Sequence, residues 1–199
     1  MYVRALLSTL SLGLLLASTA AQAHTGVGAA TGFAHGYLHP IGGLDHVLAM
    51  VAVGLFAVQL GGRALWLVPL AFVSMMAVGG AIGIAGVALP LVEAGIALSV
   101  ILLGICIALG LHLSTAAAMS LVGVFAVFHG HAHGAEMPDS ASGFEYAAGF
   151  VLATATLHAC GIGLGVLLGP AREARRTRVS RLAGGAIALA GIAILVGAI

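Results

Sequence analysis

The sequence predicts an all-α fold: a polytopic membrane helix bundle with six transmembrane helices behind a cleavable signal peptide. Three observations predict it. Of 199 residues, 61% are hydrophobic and 7% charged, with a mean hydropathy of +1.19, whereas soluble domains carry roughly 25% charged residues. Apolar stretches near the roughly 20 residues that cross a bilayer recur with short polar breaks. The arginines and most of the acids fall at opposite turns of that pattern. Too few charges remain to solvate a globule, which excludes a water-soluble enzyme, a nucleic-acid binder and a disordered tail. The lipid bilayer is thus a partner and nucleic acid is not.

Residues 1–23 read as a secretory signal. Arg4 is a short positive n-region, residues 5–17 are the apolar core, and Ala21-Gln22-Ala23 is an A-x-A cleavage site. Cleavage leaves His24 at the head of a transmembrane domain over 24–199. A retained signal anchor is the alternative, and both readings place residue 24 outside. Six spans follow, over about 43–60, 64–86, 91–111, 114–133, 144–168 and 182–199. They are separated by Gly61-Gly62-Arg63, a turn at Pro90, the His112 region, a polar loop over 136–142 and an arginine-rich loop over 170–181.

Starting outside, the connections after spans one, three and five face the cytoplasm. Arg63 and the five arginines from Arg172 to Arg181 fall there, while Glu93, Glu136, Asp139 and Glu145 lie toward the outer face. This is the positive-inside pattern, and orientation alone accounts for the arginine loop. Thirty glycines, roughly twice ordinary usage, include Gly79-x-x-x-Gly83, Gly161-x-x-x-Gly165 and Gly165-x-x-x-Gly169. Such small-residue spacings let helices approach closely. Met75, Met76 and Met119 read as packing rather than soft-metal ligands. The chain has no lysine and no GxxxxGK[ST] pattern, so transport is not powered by ATP bound to it.

Nine histidines against six acids are the exception to this composition. Most fall in two segments, His35-Gly36-Tyr37-Leu38-His39-Pro40-Ile41-Gly42-Gly43-Leu44-Asp45-His46 and Phe128-His129-Gly130-His131-Ala132-His133-Gly134-Ala135-Glu136. The first opens span one and the second closes span four, so both meet the outer face. His39 and His46 are two helical turns apart, with Met50 one turn below His46 and Pro40 suited to the first turn of the helix. His129, His133 and Glu136 follow i, i+4, i+7 on one stripe, with His131 off it. Imidazole and carboxylate donors converging in this way suit Ni²⁺, Co²⁺ or Zn²⁺ rather than Mg²⁺ or Cu(I). The expected metal ligands are therefore His39, Asp45, His46, His129, His133 and Glu136. His158 in span five and His112 at the inner end of span three would extend a path, with His35 and His131 as further candidates. Cys106 and Cys160 lie within spans, which argues against a disulfide framework.

At these residues the sequence resembles the HupE/UreJ family of small bacterial metal permeases. Its HPxxGxDH signature is matched by His39, Pro40, Gly43, Asp45 and His46. Its FHGxAHGxE signature is matched by Phe128, His129, Gly130, Ala132, His133, Gly134 and Glu136. The signal, the six spans and the length also fit, so the resemblance covers essentially the whole chain. The first motif is also similar to the HxxxxDH signature of larger nickel/cobalt transporters, with one extra residue of spacing. The resemblance implies nickel uptake, or cobalt in some relatives, linked to hydrogenase or urease maturation. The expectation is a non-enzymatic permease of the bacterial inner membrane, its mature N-terminus periplasmic, with Ni²⁺ or Co²⁺ as cargo and no permanently bound cofactor. The alternatives are a membrane metal-delivery or storage factor without transport, and a membrane metalloenzyme. An imidazole must be neutral to ligate. Uptake is accordingly expected to fall as the outer pH drops from about 7.5 to about 5.5, across the usual histidine titration; flat uptake over that window, measured with radiolabelled nickel, would refute histidine ligation at entry.

Overall fold

Helix-forming apolar runs interrupted by glycine fix the architecture. The computed structural model describes residues 32–137, 142–168 and 174–199, and the expected signal peptide, His24, Asp139, Gly169 and Arg172 lie outside them. The described residues form seven helices and no strand: α1 (Gly32–Gly42), α2 (Leu44–Leu60), α3 (Ala64–Ile84), α4 (Val92–Leu109), α5 (Thr115–Ala135), α6 (Gly143–Leu168) and α7 (Ala174–Leu195). Helices α3 to α7 are each long and apolar enough to cross a membrane. Helices α1 and α2 reach that length and apolarity only as a pair, bent by 82° at the break between them; counted as one broken span, the pair makes six. The chain is a multi-pass membrane protein, and large apolar side chains such as Trp66, Phe144, Leu167 and Leu182 stand exposed on its outside.

Local chemistry sets the ends. Gly61, at φ 69°, stops α2. Gly110, at φ 65°, turns the chain out of α4, and the N–H of Leu111 returns to the carbonyl of Cys106 at 2.9 Å; the left-handed conformation there favours glycine. Ser114 caps α5, its Oγ accepting from the N–H of Ala117 at 3.2 Å. At this same end Gln59 of α2 donates to the carbonyls of Cys106 and Leu111 at 3.1 and 3.0 Å, which ties α2 to α4.

Three expectations are corrected. Pro40 is not in the first turn of span one: it sits near the end of the separate helix α1, and Gly43, extended at φ −94° and ψ 119°, breaks the chain before α2. His39 and His46 are therefore not two turns apart on one helix. The last helix begins at Ala174 rather than near 182, so Arg175, Arg176, Arg178 and Arg181 are helical; arginine is a good helix former and nothing in that run stops the helix. It ends at Leu195, ahead of Gly197 at φ 68°.

Helices meet through glycine. On α3, a Cβ at Gly79 or Gly83 would run into the backbone of Val127 or His131. On α5, a Cβ at Gly130 or Gly134 would run into that of Met76 or Gly80. The contact is reciprocal, so α3 and α5 touch backbone to backbone as small-residue seams allow. A second seam sets Gly54 of α2 on His158 and Gly161 of α6 on Val51, and a third sets Gly36 of α1 on Tyr146 and Gly149 of α6 on Phe33. Gly165 meets the side chain of Val58. The seams leave a core of fully buried Met50, Val53, Phe56, Phe72 and Val122, with Met76 and Leu103 beside them. Overpacking a well-packed interface costs typically 1–3 kcal/mol, and here the obstacle is backbone. Gly130→Val is thus expected to destabilise the protein by at least about 2 kcal/mol, read as a lower thermal midpoint in detergent. Gly163→Ala, where nothing lies within 4 Å, should leave the midpoint unchanged.

Candidate metal centre

The α3–α5 seam orients the histidine-rich end of α5. Gly130 and Gly134 face α3, which turns His129 and His133 toward α1, α2 and α6. Those helices bring up the other segment. His39 of α1 stands with its ring centroid 4.8 Å from that of His133. His46 of α2 stands 4.3 Å from His133 and 4.8 Å from His129. Four imidazoles thus form a row, His39–His133–His46–His129, although α1 and α2 supply its two first-segment members from either side of a sharp bend.

The row runs from surface to core. The side chains of His39 and Glu136 are 34% and 58% exposed, His133 and His46 are buried, and His129 is wholly buried. At the mouth, His39 Nε2 lies 3.1 Å from Glu136 Oε2. One donor atom from each of His39, His133 and Glu136 falls within 4.8 Å of the others. Three ligand atoms sharing one metal at bonds near 2.1 Å lie roughly 3–3.6 Å from one another, so a contraction of about 1 Å at the widest pair of this triad would hold an ion.

Inside, hydrogen bonds fix which nitrogen is free. The Nδ1–H of His46 donates to Asp45 Oδ1 at 2.8 Å, leaving Nε2 as a lone pair, and that atom is buried without a partner. His129 Nε2 is 2.9 Å from Ser99 Oγ, and that hydroxyl donates to the carbonyl of Ile96 at 2.6 Å. A serine has one proton to give, so His129 Nε2–H is the donor to Ser99 and Nδ1 is the free lone pair, also buried and unpartnered. Both nitrogens of His133 are buried without partners. Buried polar atoms ordinarily have partners; a run of orphaned imidazole nitrogens on adjoining rings is what a divalent cation of borderline softness would satisfy.

Asp45 Oδ1 also accepts from the N–H of His46 at 2.8 Å, so in this state the carboxylate is engaged with His46. His35 is exposed, its ring 5.9 Å from that of His39. His131 donates from Nε2 to the carbonyl of Val87 at 2.7 Å, which turns it to the α3–α4 connection and away from the row. His158 is buried with neither nitrogen partnered, and Phe72 stands between it and His129, with centroids 5.2 and 5.6 Å away. His112 is exposed at the opposite end of the bundle, its Nδ1–H on the carbonyl of Gly110 at 2.9 Å.

Four neighbours of the row escaped sequence reasoning. Phe72 and Phe150, the latter 4.1 Å from His133 between centroids, carry no polar signal. Tyr146, whose ring is 5.9 Å from His35 and whose hydroxyl is buried unpartnered, looks like an interfacial aromatic. Ser99 is the sole hydroxyl in α4, and that singularity was a signal available to be read.

The chain matches the family described as HupE / UreJ protein over residues 12–194. Protein HupE of Rhizobium leguminosarum bv. viciae is 50% identical over 190 residues, which is 95% of this chain and 97% of that one. No solved structure matches it.

Gly43 adjoins the Asp45–His46 pair: a Cβ there would lie 2.8 Å from Asp45 Oδ1 and 3.1 Å from His46 Nδ1. Gly43→Val is expected to weaken nickel binding to the purified protein by roughly tenfold or more, the range for disturbed outer-shell partners, in titration calorimetry. Gly42→Ala, which meets nothing within 4 Å, should bind as the parent does.

Proposed function

This chain belongs to the HupE/UreJ family, and from that premise we propose that it is an inner-membrane permease for a divalent transition metal. Nickel is the first assignment and cobalt the second, with hydrogenase or urease maturation as the process supplied. The observation that carries the reading is the row of imidazoles with orphaned nitrogens, which begins at the half-buried His39 and the exposed Glu136 and ends at the wholly buried His129.

A bare divalent ion cannot enter an apolar bundle, because the loss of hydration is prohibitive. Protein donors must replace water in steps. His39, His133 and Glu136 take the ion at the mouth, where the carboxylate offsets part of its charge. His133 has both nitrogens free and stands between the mouth and the inner pair, so it can remain bound while His39 and Glu136 are exchanged for His46 Nε2 and His129 Nδ1. Asp45 holds the His46 ring in the required tautomer and supplies a negative charge next to the inner position. Carboxylate–imidazole pairs of this kind orient metal-binding histidines and raise their basicity. Beyond His129 the path continues past Phe72 to His158. The mature N-terminus and the histidine-rich end are placed on the periplasmic side, following the distribution of arginine.

The test is radiolabelled nickel uptake by proteoliposomes containing only this protein. His46→Ala and His129→Ala are each expected to lower initial uptake at least about tenfold, while His112→Ala, at the far end, lowers it less. Unchanged uptake in both of the first two variants would refute the site. Nickel binding without uptake by the parent would favour a delivery or storage factor instead.

A further inference from the structure

We propose that Ser99 is a positioning residue for metal transfer: it locks His129 in the Nε2-protonated tautomer, so that the Nδ1 lone pair always faces the imidazole row. The inference rests on the reading of His129 as a ligand. Its geometry is independent of that reading. Ser99 lies on α4 and His129 on α5, both with no exposed surface, and no other partner reaches the Nε2 of His129.

The direction of the hydrogen bonds is settled by proton count. The hydroxyl oxygen of Ser99 and the carbonyl oxygen of Ile96 are 2.6 Å apart, a separation at which a proton must lie between them. A carbonyl has none to give, so the serine proton is committed to it. The oxygen of Ser99 then presents only lone pairs to His129, 2.9 Å away, and Nε2 must carry the hydrogen. In a histidine, the bond made by one nitrogen sets the state of the other. Here the setting arises between two transmembrane helices and needs no charged group: a helix carbonyl holds the hydroxyl, the hydroxyl holds the imidazole, and the lone pair is directed before any ion arrives.

This differs from the solution used at His46, where a carboxylate fixes the tautomer. A carboxylate adds charge and a hydroxyl does not. The innermost ligand of the row is therefore preset without a second negative charge beside that of Asp45, which would hold the cation more tightly at a position from which it must leave.

The experiment uses the full chain in detergent, with Ser99→Ala, Ser99→Thr, His129→Ala and the double variant Ser99→Ala/His129→Ala. Nitrogen-15 NMR of the metal-free protein is expected to show His129 protonated on Nε2 in the parent and in Ser99→Thr, and to gain an Nδ1-protonated population in Ser99→Ala. Nickel affinity is expected to fall about 10–100-fold in Ser99→Ala, the range for loss of an outer-shell partner, to be restored in Ser99→Thr, and to fall no further when Ser99→Ala is added to His129→Ala. An unchanged tautomer in Ser99→Ala, or full affinity there, would overturn the proposal. Equal losses from Ser99→Ala in the presence and absence of His129 would overturn it too, by showing an effect on folding alone. Full nickel affinity in His129→Ala, with the tautomer shift intact, would overturn the site reading and the role in transfer with it.

Discussion

A buried imidazole has two nitrogens, and in an apolar bundle each needs a partner, because an unmet polar group far from water is expensive. The histidines of this protein meet that requirement by halves. His46 gives one N–H to Asp45 and His129 gives one to Ser99. In each case the other nitrogen is left as a buried lone pair, and His133 keeps both nitrogens free. Acceptors placed on one side of each ring create donors on the other, and the row is built from those leftover lone pairs. His131 is half-met in the same way, its Nε2–H on the carbonyl of Val87 and its Nδ1 buried without a partner, but its bond is to the α3–α4 connection and its ring does not join the row.

The rings reach this arrangement because the helices carrying them are unusually close. Glycine on both α3 and α5 brings those backbones into contact, and the same glycines alternate with the histidines of α5, so the seam and the site share one stretch of chain. Gly54 and Gly161 do the same for α2 and α6, and this fixes His158 of α6 with respect to His46 of α2. Packing and ligation are therefore one feature of the sequence. In His129-Gly130 and again in His133-Gly134, a residue that joins the row is followed by one that must be small.

Much of this was legible in the amino-acid sequence, and the remainder has physical reasons for being hidden. Apolar runs of span length gave the helices, and the i, i+4 spacing of His129 and His133 put them on one face. The bend at Gly43 was not legible, because Gly42-Gly43 before an apolar run reads equally as the start of one helix; His39 consequently reaches the row from α1. Asp45 was read as one of the converging donors; that its short side chain, at the first turn of α2, accepts from the N–H and Nδ1 of the next residue is a local contact that the spacing does not display. Phe72 was invisible, since an aromatic residue between two histidines in space is only another apolar residue in sequence. The arginine run was read as loop from its charge, although arginine favours helix and α7 extends back through it.

The central claim is that a divalent ion is held by imidazoles drawn from both histidine segments of the sequence. Anomalous scattering from nickel in crystals of the loaded protein tests that most directly. The expected result is a peak on His133, shared either with His39 and Glu136 or with His46 and His129, with imidazole nitrogens at about 2.1 Å and the Ser99–His129 bond intact. A peak bound elsewhere, at His112 or among the arginines of α7, with the row left empty, would contradict it.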